Sequence, residues 1–165
     1  MPEQKKNTDT QNIAQQLLNS IGRSPNAKDV LIIDDDKWIH RIVSSCLKSW
    51  GFNPISAYDP VEGLAAAIQS PPLIIILDIL MPMMNGDVLL KVLKKLDNTS
   101  QIPTIIMSGA ISREIFGVAL KDGASAFISK PITQEKLLEK IKESLGLAVT
   151  YDPSIGKAFF TAETN

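Results

Sequence analysis

The feature that most constrains the fold is a run of five apolar residues, Leu73–Leu77, between Pro71-Pro72 and a loop rich in proline and glycine. A short apolar run between turn-forming residues predicts a buried β-strand. Similar runs occupy residues 30–33 and 104–107. Strands that are apolar along their whole length are typical of parallel sheets with helices on both faces. We therefore expect an α/β protein.

The remaining strands predict the order of the sheet. Strand-like and helix-like segments alternate five times between residues 30 and 145, and the strands at about 52–57 and 124–129 are of mixed polarity. The first of these two contains Pro54, which has no amide hydrogen to donate and therefore belongs at a sheet edge. Placing both at the edges favours strand order 2-1-3-4-5, the flavodoxin-like doubly wound parallel sheet of a (βα)5 fold.

Capping residues mark the ends of the predicted helices. The expected N-caps are Asp59, Ser112 and Thr133, and the glycines expected just beyond helix ends are Gly51, Gly123 and Gly146. Asp36 is expected to cap the first helix rather than to bind a ligand. On that helix, Cys46 falls on the apolar stripe and is expected in the core.

Carboxylates follow two of the central strands. Asp34 and Asp35 come directly after the first strand, and Asp78 follows the third. These strands are neighbours in the predicted order, so the three acids should meet at the edge where such sheets hold their ligands. A like-charged cluster is tolerated mainly when a cation holds it, and Mg²⁺ binds a few carboxylates together with water and phosphate oxygens. The sequence therefore predicts a magnesium site.

A hydroxyl and an ammonium group are expected at the same edge. Ser108 follows the fourth strand and Lys130 follows the fifth. With Asp78 as nucleophile, this set suits phosphoryl transfer onto a carboxylate, because Lys130 and the metal would neutralise charge on the phosphoryl oxygens. Each residue also has an interpretation without a role in chemistry: Asp78 as a solvated loop acid, Ser108 as a turn cap, and Lys130 as a surface lysine.

The bulk composition limits the other possibilities. The 165 residues suggest one domain over residues 28–146, a polar extension over 1–27 that includes one short amphipathic helix, and a flexible or loosely docked tail over 147–165, with docking on a partner as the alternative. A net charge of -1 gives no case for nucleic acid or anionic membrane. The chain has no apolar segment of roughly 20 residues, no signal-peptide pattern and a single cysteine. We therefore expect a cytoplasmic protein.

Four motifs in a fixed order carry a family resemblance. They are IIDDD at 32–36, LDILMPMMNG at 77–86, IMSGA at 106–110 and FISKP at 127–131. Together they resemble the receiver domain of two-component response regulators, of the stand-alone chemotaxis-regulator type, over about residues 28–146. The roles that this resemblance implies are Asp78 as phosphoacceptor and metal ligand, Asp34, Asp35 and the Leu80 carbonyl as further metal ligands, Ser108 and Phe127 as switch residues, and Lys130 as the lysine typical of the family's site. The resemblance also implies a cis peptide bond between Lys130 and Pro131.

The resemblance also implies a function. The chain would take a phosphoryl group from a histidine kinase or a histidine phosphotransfer protein, and then bind a protein target as a monomer or weak dimer. Turnover of an external substrate is not expected, because a hydrolase with an aspartyl nucleophile would require an acidic residue at the position of Leu80. The sequence also has no glycine-rich nucleotide-binding motif. Two alternatives stay open: a receiver fragment of a larger regulator, and a scaffold that is never phosphorylated.

Several residues carry further expectations. Leu80 and Ala110 cannot orient a water by hydrogen bonding, which predicts slow self-dephosphorylation. Phe127 is either a switch residue or simply part of the core. His40 is expected on the surface with no metal or catalytic role. Trp38 lies off the apolar stripe of its helix and is expected to contact a partner or to be covered by the N-terminal segment.

Overall fold

The computed structural model describes residues 28–109, 113–152 and 157–162. Within them, five strands and five helices alternate, and a two-stranded hairpin follows the last helix. In chain order the elements are β1 Asp29–Ile33, α1 Lys37–Ser49, β2 Asn53–Ala57, α2 Pro60–Gln69, β3 Ile74–Asp78, α3 Gly86–Lys95, β4 Thr104–Ser108, α4 Arg113–Lys121, β5 Ala126–Ser129, α5 Gln134–Ser144, β6 Leu147–Asp152 and β7 Lys157–Ala162.

The first five strands form one parallel sheet in the order β2-β1-β3-β4-β5. The predicted order is confirmed, and β2 with its Pro54 lies at an edge. Ile33 pairs with Leu77, so the residues that follow them, Asp34 and Asp78, leave the sheet side by side. Asp78 in turn pairs with Met107. The carboxyl ends of the central strands therefore lie together at one edge of the sheet.

The core has two layers, one on each face of the sheet. Alternate residues of β3 face opposite layers, with Ile74 and Ile76 on one side and Ile75 and Leu77 on the other. Helices α1 and α5 complete the first layer, and α2, α3 and α4 complete the second. Cys46 is buried in the first layer, as predicted. Burial on both faces explains why the central strands are apolar along their whole length.

The helix ends follow the capping residues. The Asp36 carboxylate accepts a hydrogen bond from the Trp38 amide at 2.8 Å, so its predicted role as a cap is confirmed. Asp59 and Thr133 also cap their helices through their side chains. After α1, Gly51 has a φ of 84°, a backbone conformation that other residues rarely adopt. Ser112 lies outside the described residues.

The C-terminal segment differs from its expected form. Strands β6 and β7 pair in antiparallel fashion, with Leu147 opposite Ala162 and Asp152 opposite Lys157. The N-terminal extension, residues 1–27, lies outside the described residues. No helix of the described chain is long and apolar enough to cross a bilayer.

Candidate functional site

Asp78 is the last residue of β3 and is almost fully buried, at 3% exposure. The loop after it turns back so tightly that the Gly86 amide donates to the Ile79 carbonyl oxygen at 2.8 Å. A Cβ atom on Gly86 would lie only 2.1 Å from the Asp78 carbonyl oxygen. The start of α3 therefore packs directly on the end of β3, and only glycine fits at the contact.

Three carboxylates meet at this edge of the sheet. Asp34, Asp35 and Asp78 each offer an oxygen, and these oxygens lie within 4.8 Å of one another. Asp34 is fully buried, whereas Asp35 is exposed. Three converging carboxylate oxygens, one of them open to solvent, suit a hard cation such as Mg²⁺. The residues present therefore fit the metal that the sequence predicts.

Lys130 joins two of the acids. Its Nζ lies 2.9 Å from Asp34 Oδ2 and 3.2 Å from Asp78 Oδ1. The backbone places it there, because the Lys130 amide donates to the Ser108 carbonyl oxygen at 2.9 Å and so continues the pairing of β4 with β5. Burial alone would lower the pKa of Lys130, but the hydrogen bonds and charges of Asp34 and Asp78 outweigh it, and the pKa is raised. The ammonium group therefore stays charged.

The environment of Asp78 disfavours the ionised form of its carboxyl group. Burial raises the pKa of its carboxyl group, and the neighbouring charge of Asp34 raises it further. The Lys130 ammonium and a hydrogen bond with the Leu80 backbone act in the opposite direction, but the net pKa is raised. A second positive charge near Asp78 would lower the free energy of its ionised form, which is what a bound cation supplies.

The predicted switch residues lie on the neighbouring strands. Ser108 ends β4 and is fully buried, one residue beyond Met107, the partner of Asp78. Phe127 is 8% exposed and lies in the core layer, with its ring edge-on to Phe116 at 5.6 Å between centroids. Phe127 therefore occupies an inward position here. The roles of Ser108 and Phe127 stay predictions.

Two other expectations concern the loops. The Lys130-Pro131 peptide bond is cis, as the resemblance implies. Leu80 follows Asp78 by two residues, its backbone hydrogen-bonds to the Asp78 carboxyl group, and its side chain is 56% exposed. The assignment of the Leu80 carbonyl as a metal ligand stays a prediction.

His40 is the residue that sequence reasoning placed wrongly. It was expected on the surface, but it is 4% exposed. Its Nε2 lies 2.7 Å from the Asp34 carbonyl oxygen, and its Nδ1 lies 2.9 Å from Ser56 Oγ. Tyr58 packs against its ring, with centroids 4.3 Å apart. The helical pattern of α1 shows a polar side at His40 but does not reveal that the end of β2 and the residues after it cover that side.

Trp38 is 68% exposed. The Arg41 guanidinium lies 5.3 Å from the centroid of its ring, a distance at which a cation is attracted to the ring face. Contact of Trp38 with a partner stays a prediction. Its predicted cover, the N-terminal segment, falls outside the described residues.

Comparison with known proteins identifies related sequences. Residues 30–142 match the family described as the response regulator receiver domain. A curated relative, the DNA-binding dual master transcriptional regulator RpaA of Synechocystis sp., is 32% identical over 118 residues, which are 70% of this chain and 48% of RpaA. The chain therefore spans about half of the length of this relative, and about a quarter of others that it matches.

Solved structures show the same fold. A CheY-like receiver domain protein from Methanospirillum hungatei is 36% identical with a TM-score of 0.67, covering 72% of this chain and 93% of that protein. A chain of the CheX-CheY-BeF3-Mg²⁺ complex from Borrelia burgdorferi is 28% identical with a TM-score of 0.67, covering 71% of this chain and 88% of that one. With the sheet order, the acidic site and the family match in agreement, the chain belongs to the response regulator receiver domain family.

Proposed function

We propose that this chain accepts a phosphoryl group on Asp78 from a phosphohistidine donor, with Mg²⁺, and signals by binding another protein when phosphorylated. The observation that carries the proposal is the ion-paired set at the sheet edge, in which the Lys130 ammonium lies between Asp78 and Asp34. Membership of the receiver family supports the same chemistry. The donor would be a histidine kinase or a histidine phosphotransfer protein.

Each residue of the site has a task in this transfer. An Asp78 carboxylate oxygen attacks phosphorus, an O–P bond forms, and the donor's N–P bond breaks, with the imidazole keeping the electron pair and taking up a proton. Lys130 holds a positive charge beside the oxygens of the moving group. Asp34, Asp35 and Asp78 would hold Mg²⁺, which when bound supplies further positive charge next to the phosphoryl oxygens.

A direct test uses a small phosphodonor. The chain is incubated with acetyl phosphate and Mg²⁺, and its intact mass is measured. We expect one added phosphoryl group, with none in a matched reaction that contains a metal chelator. An unchanged mass after long incubation with Mg²⁺ would contradict the proposal and favour the scaffold alternative.

Phosphorylation would then change the surface near β5. Ser108 would bond a phosphoryl oxygen, and Phe127 would move further into the space that this leaves, shifting α4 and its partly exposed Phe116. We expect beryllofluoride with Mg²⁺, a phosphoryl analogue, to shift amide resonances over residues 113–130. Ser108→Ala should reduce these shifts while leaving those near Asp34. Identical spectra with and without the analogue would show that no switch of this kind exists.

The phosphorylated state should be long-lived. Hydrolysis requires a water held in line with the O–P bond, and the exposed Leu80 side chain, two residues beyond Asp78, has no group that could hold one. Leu80→Asn supplies a donor and an acceptor there, and we expect it to speed loss of the phosphoryl group by about tenfold. Leu80→Ala is the matched control, since it shortens the side chain without adding a hydrogen-bonding group. Equal rates in both variants would contradict this explanation.

The output is proposed to be protein–protein contact, made by a cytoplasmic monomer or weak dimer without turnover of an external substrate. In the solved Borrelia complex, the related CheY is bound to CheX, which supports a protein partner. A specific observation favours a second candidate: two curated relatives are about two and four times as long as the region that matches this chain, so the output can come from an attached domain. The two candidates are separated by the length of the protein in cells, measured by immunoblotting with the 165-residue chain as the size standard.

A further inference from the structure

We infer that His40 is a positioning residue for the predicted metal site. Its imidazole holds the peptide group between Asp34 and Asp35, and through that peptide it orients both carboxylates for Mg²⁺. The inference rests on the proposed function, because it assumes that these carboxylates bind a metal ion. No motif of the receiver resemblance contains His40, and the histidine lies on a different element from Asp34 and Asp35.

The hydrogen bond acts on a rigid unit. The carbonyl group of Asp34 and the amide group of Asp35 belong to one planar peptide. His40 Nε2 lies 2.7 Å from that carbonyl oxygen, so the imidazole restrains the direction of the whole plane. The Asp35 side chain leaves the backbone from the end of this plane, and its direction is therefore restrained as well.

The ring of His40 is itself held in place. A carbonyl oxygen only accepts hydrogen bonds, so Nε2 carries the proton and donates it to Asp34. Nδ1 pairs with the Ser56 hydroxyl at 2.9 Å, and the Tyr58 ring packs on the imidazole. With both nitrogens bonded and one face packed, the ring has little freedom to rotate. A mobile ring could not have the same effect on the peptide.

Asp35 depends on this restraint more than Asp34 does. The Asp34 carboxylate accepts hydrogen bonds from the Asp36 amide at 2.8 Å and from Lys130 at 2.9 Å. The Asp35 carboxylate is exposed, and among the described residues it has no hydrogen-bond donor. The peptide held by His40 is therefore the nearest fixed point for Asp35. Groups that orient metal ligands in this indirect way typically change metal affinity by about 10- to 100-fold when they are removed.

Two substitutions separate positioning from packing. The side-chain nitrogen of glutamine reaches as far as Nε2 of histidine, whereas that of asparagine reaches only as far as Nδ1. Both are polar and uncharged. We expect His40→Asn to weaken Mg²⁺ binding by about tenfold and His40→Gln to keep most of the affinity. The measurement is the Kd for Mg²⁺ of the full chain by isothermal titration calorimetry, with no phosphodonor present.

Thermal unfolding without Mg²⁺ controls for a purely structural role. If both variants lose stability but bind Mg²⁺ as the unsubstituted chain does, His40 only packs, and the inference is wrong. If neither variant folds, Ser56→Ala decides the matter: it frees Nδ1, should weaken Mg²⁺ binding by a few-fold, and an unchanged Kd would overturn the inference. Absence of Mg²⁺ binding in the unsubstituted chain would instead overturn the metal site of the proposed function.

Discussion

Asp78→Asn is expected to abolish the addition of a phosphoryl group, both from a phosphohistidine donor and from acetyl phosphate. The asparagine amide has nearly the shape of the carboxylate but is not a nucleophile of comparable strength. Intact mass after incubation with Mg²⁺ should therefore show only the unmodified chain. The expected loss is complete within the sensitivity of the measurement, which makes it the largest effect predicted for the site.

Asp97→Asn is the matched control for this experiment. Asp97 is exposed beyond the end of α3, and the same chemical change there should leave phosphorylation at the level of the unsubstituted chain. Phosphoryl addition that persists in Asp78→Asn at the normal rate would show that another residue is the acceptor.

Asp78→Asn should also stabilise the unphosphorylated fold. Burial and the charge of Asp34 raise the pKa of Asp78 in the folded state above its ordinary value. The folded chain then binds the proton more tightly than the unfolded chain does, so stability falls as the pH rises from that ordinary value through the raised one. At neutral pH the unfolded chain carries this charge whereas the folded chain disfavours it, and Asp78→Asn removes that difference. We expect a higher urea midpoint at neutral pH without Mg²⁺, and a gain that shrinks as the pH is lowered.

Gly86→Ala is expected to cost about 3 kcal/mol of the free energy of unfolding or more, the upper range for overpacking a buried contact. The added Cβ would lie 2.1 Å from the Asp78 carbonyl oxygen and 2.9 Å from the Ile79 Cα. Both neighbours are backbone atoms at the end of the strand that carries Asp78, the proposed acceptor, so they cannot move aside as a flexible side chain would. Relief requires α3 to move away from β3, which would also displace Asp78. Urea unfolding measures the first effect, and the rate of phosphorylation by acetyl phosphate measures the second.

Gly117→Ala provides the comparison for Gly86→Ala. Gly117 lies within α4, and a Cβ atom there would meet nothing within 4 Å. Alanine is a better helix former than glycine, so this change should stabilise the chain by up to about 1 kcal/mol. Equal effects of the two substitutions on stability would contradict the steric explanation for Gly86.

Much of the fold could be predicted from the pattern of apolar residues. The continuous runs of β1, β3 and β4 indicated burial on both faces, and Pro54 indicated an edge strand, and the observed order agrees. The hairpin of β6 and β7 was missed. Its pairing brings together residues up to fifteen positions apart, such as Leu147 and Ala162, and local composition does not report which strands will pair.

Part of the candidate site could likewise be predicted from the sequence, and part could not. The convergence of Asp34, Asp35 and Asp78 followed from topology, because parallel neighbours end at one edge. The burial of His40 did not follow, because it depends on Ser56 and Tyr58, residues at the end of β2 and just beyond it.

The pattern of residues was enough to predict the order of strands, the edge at which the acids meet and the family to which the chain belongs. These predictions depend on residue type, on spacing along the chain and on the small number of orders in which parallel strands joined by helices are arranged. The structure was needed to show that Lys130 pairs with both Asp34 and Asp78, that Gly86 lies against the end of β3, and that His40 hydrogen-bonds to the Asp34 peptide. Those contacts depend on how separate elements pack, because hydrogen bonds and steric contacts form only between atoms that the whole fold brings within a few ångströms.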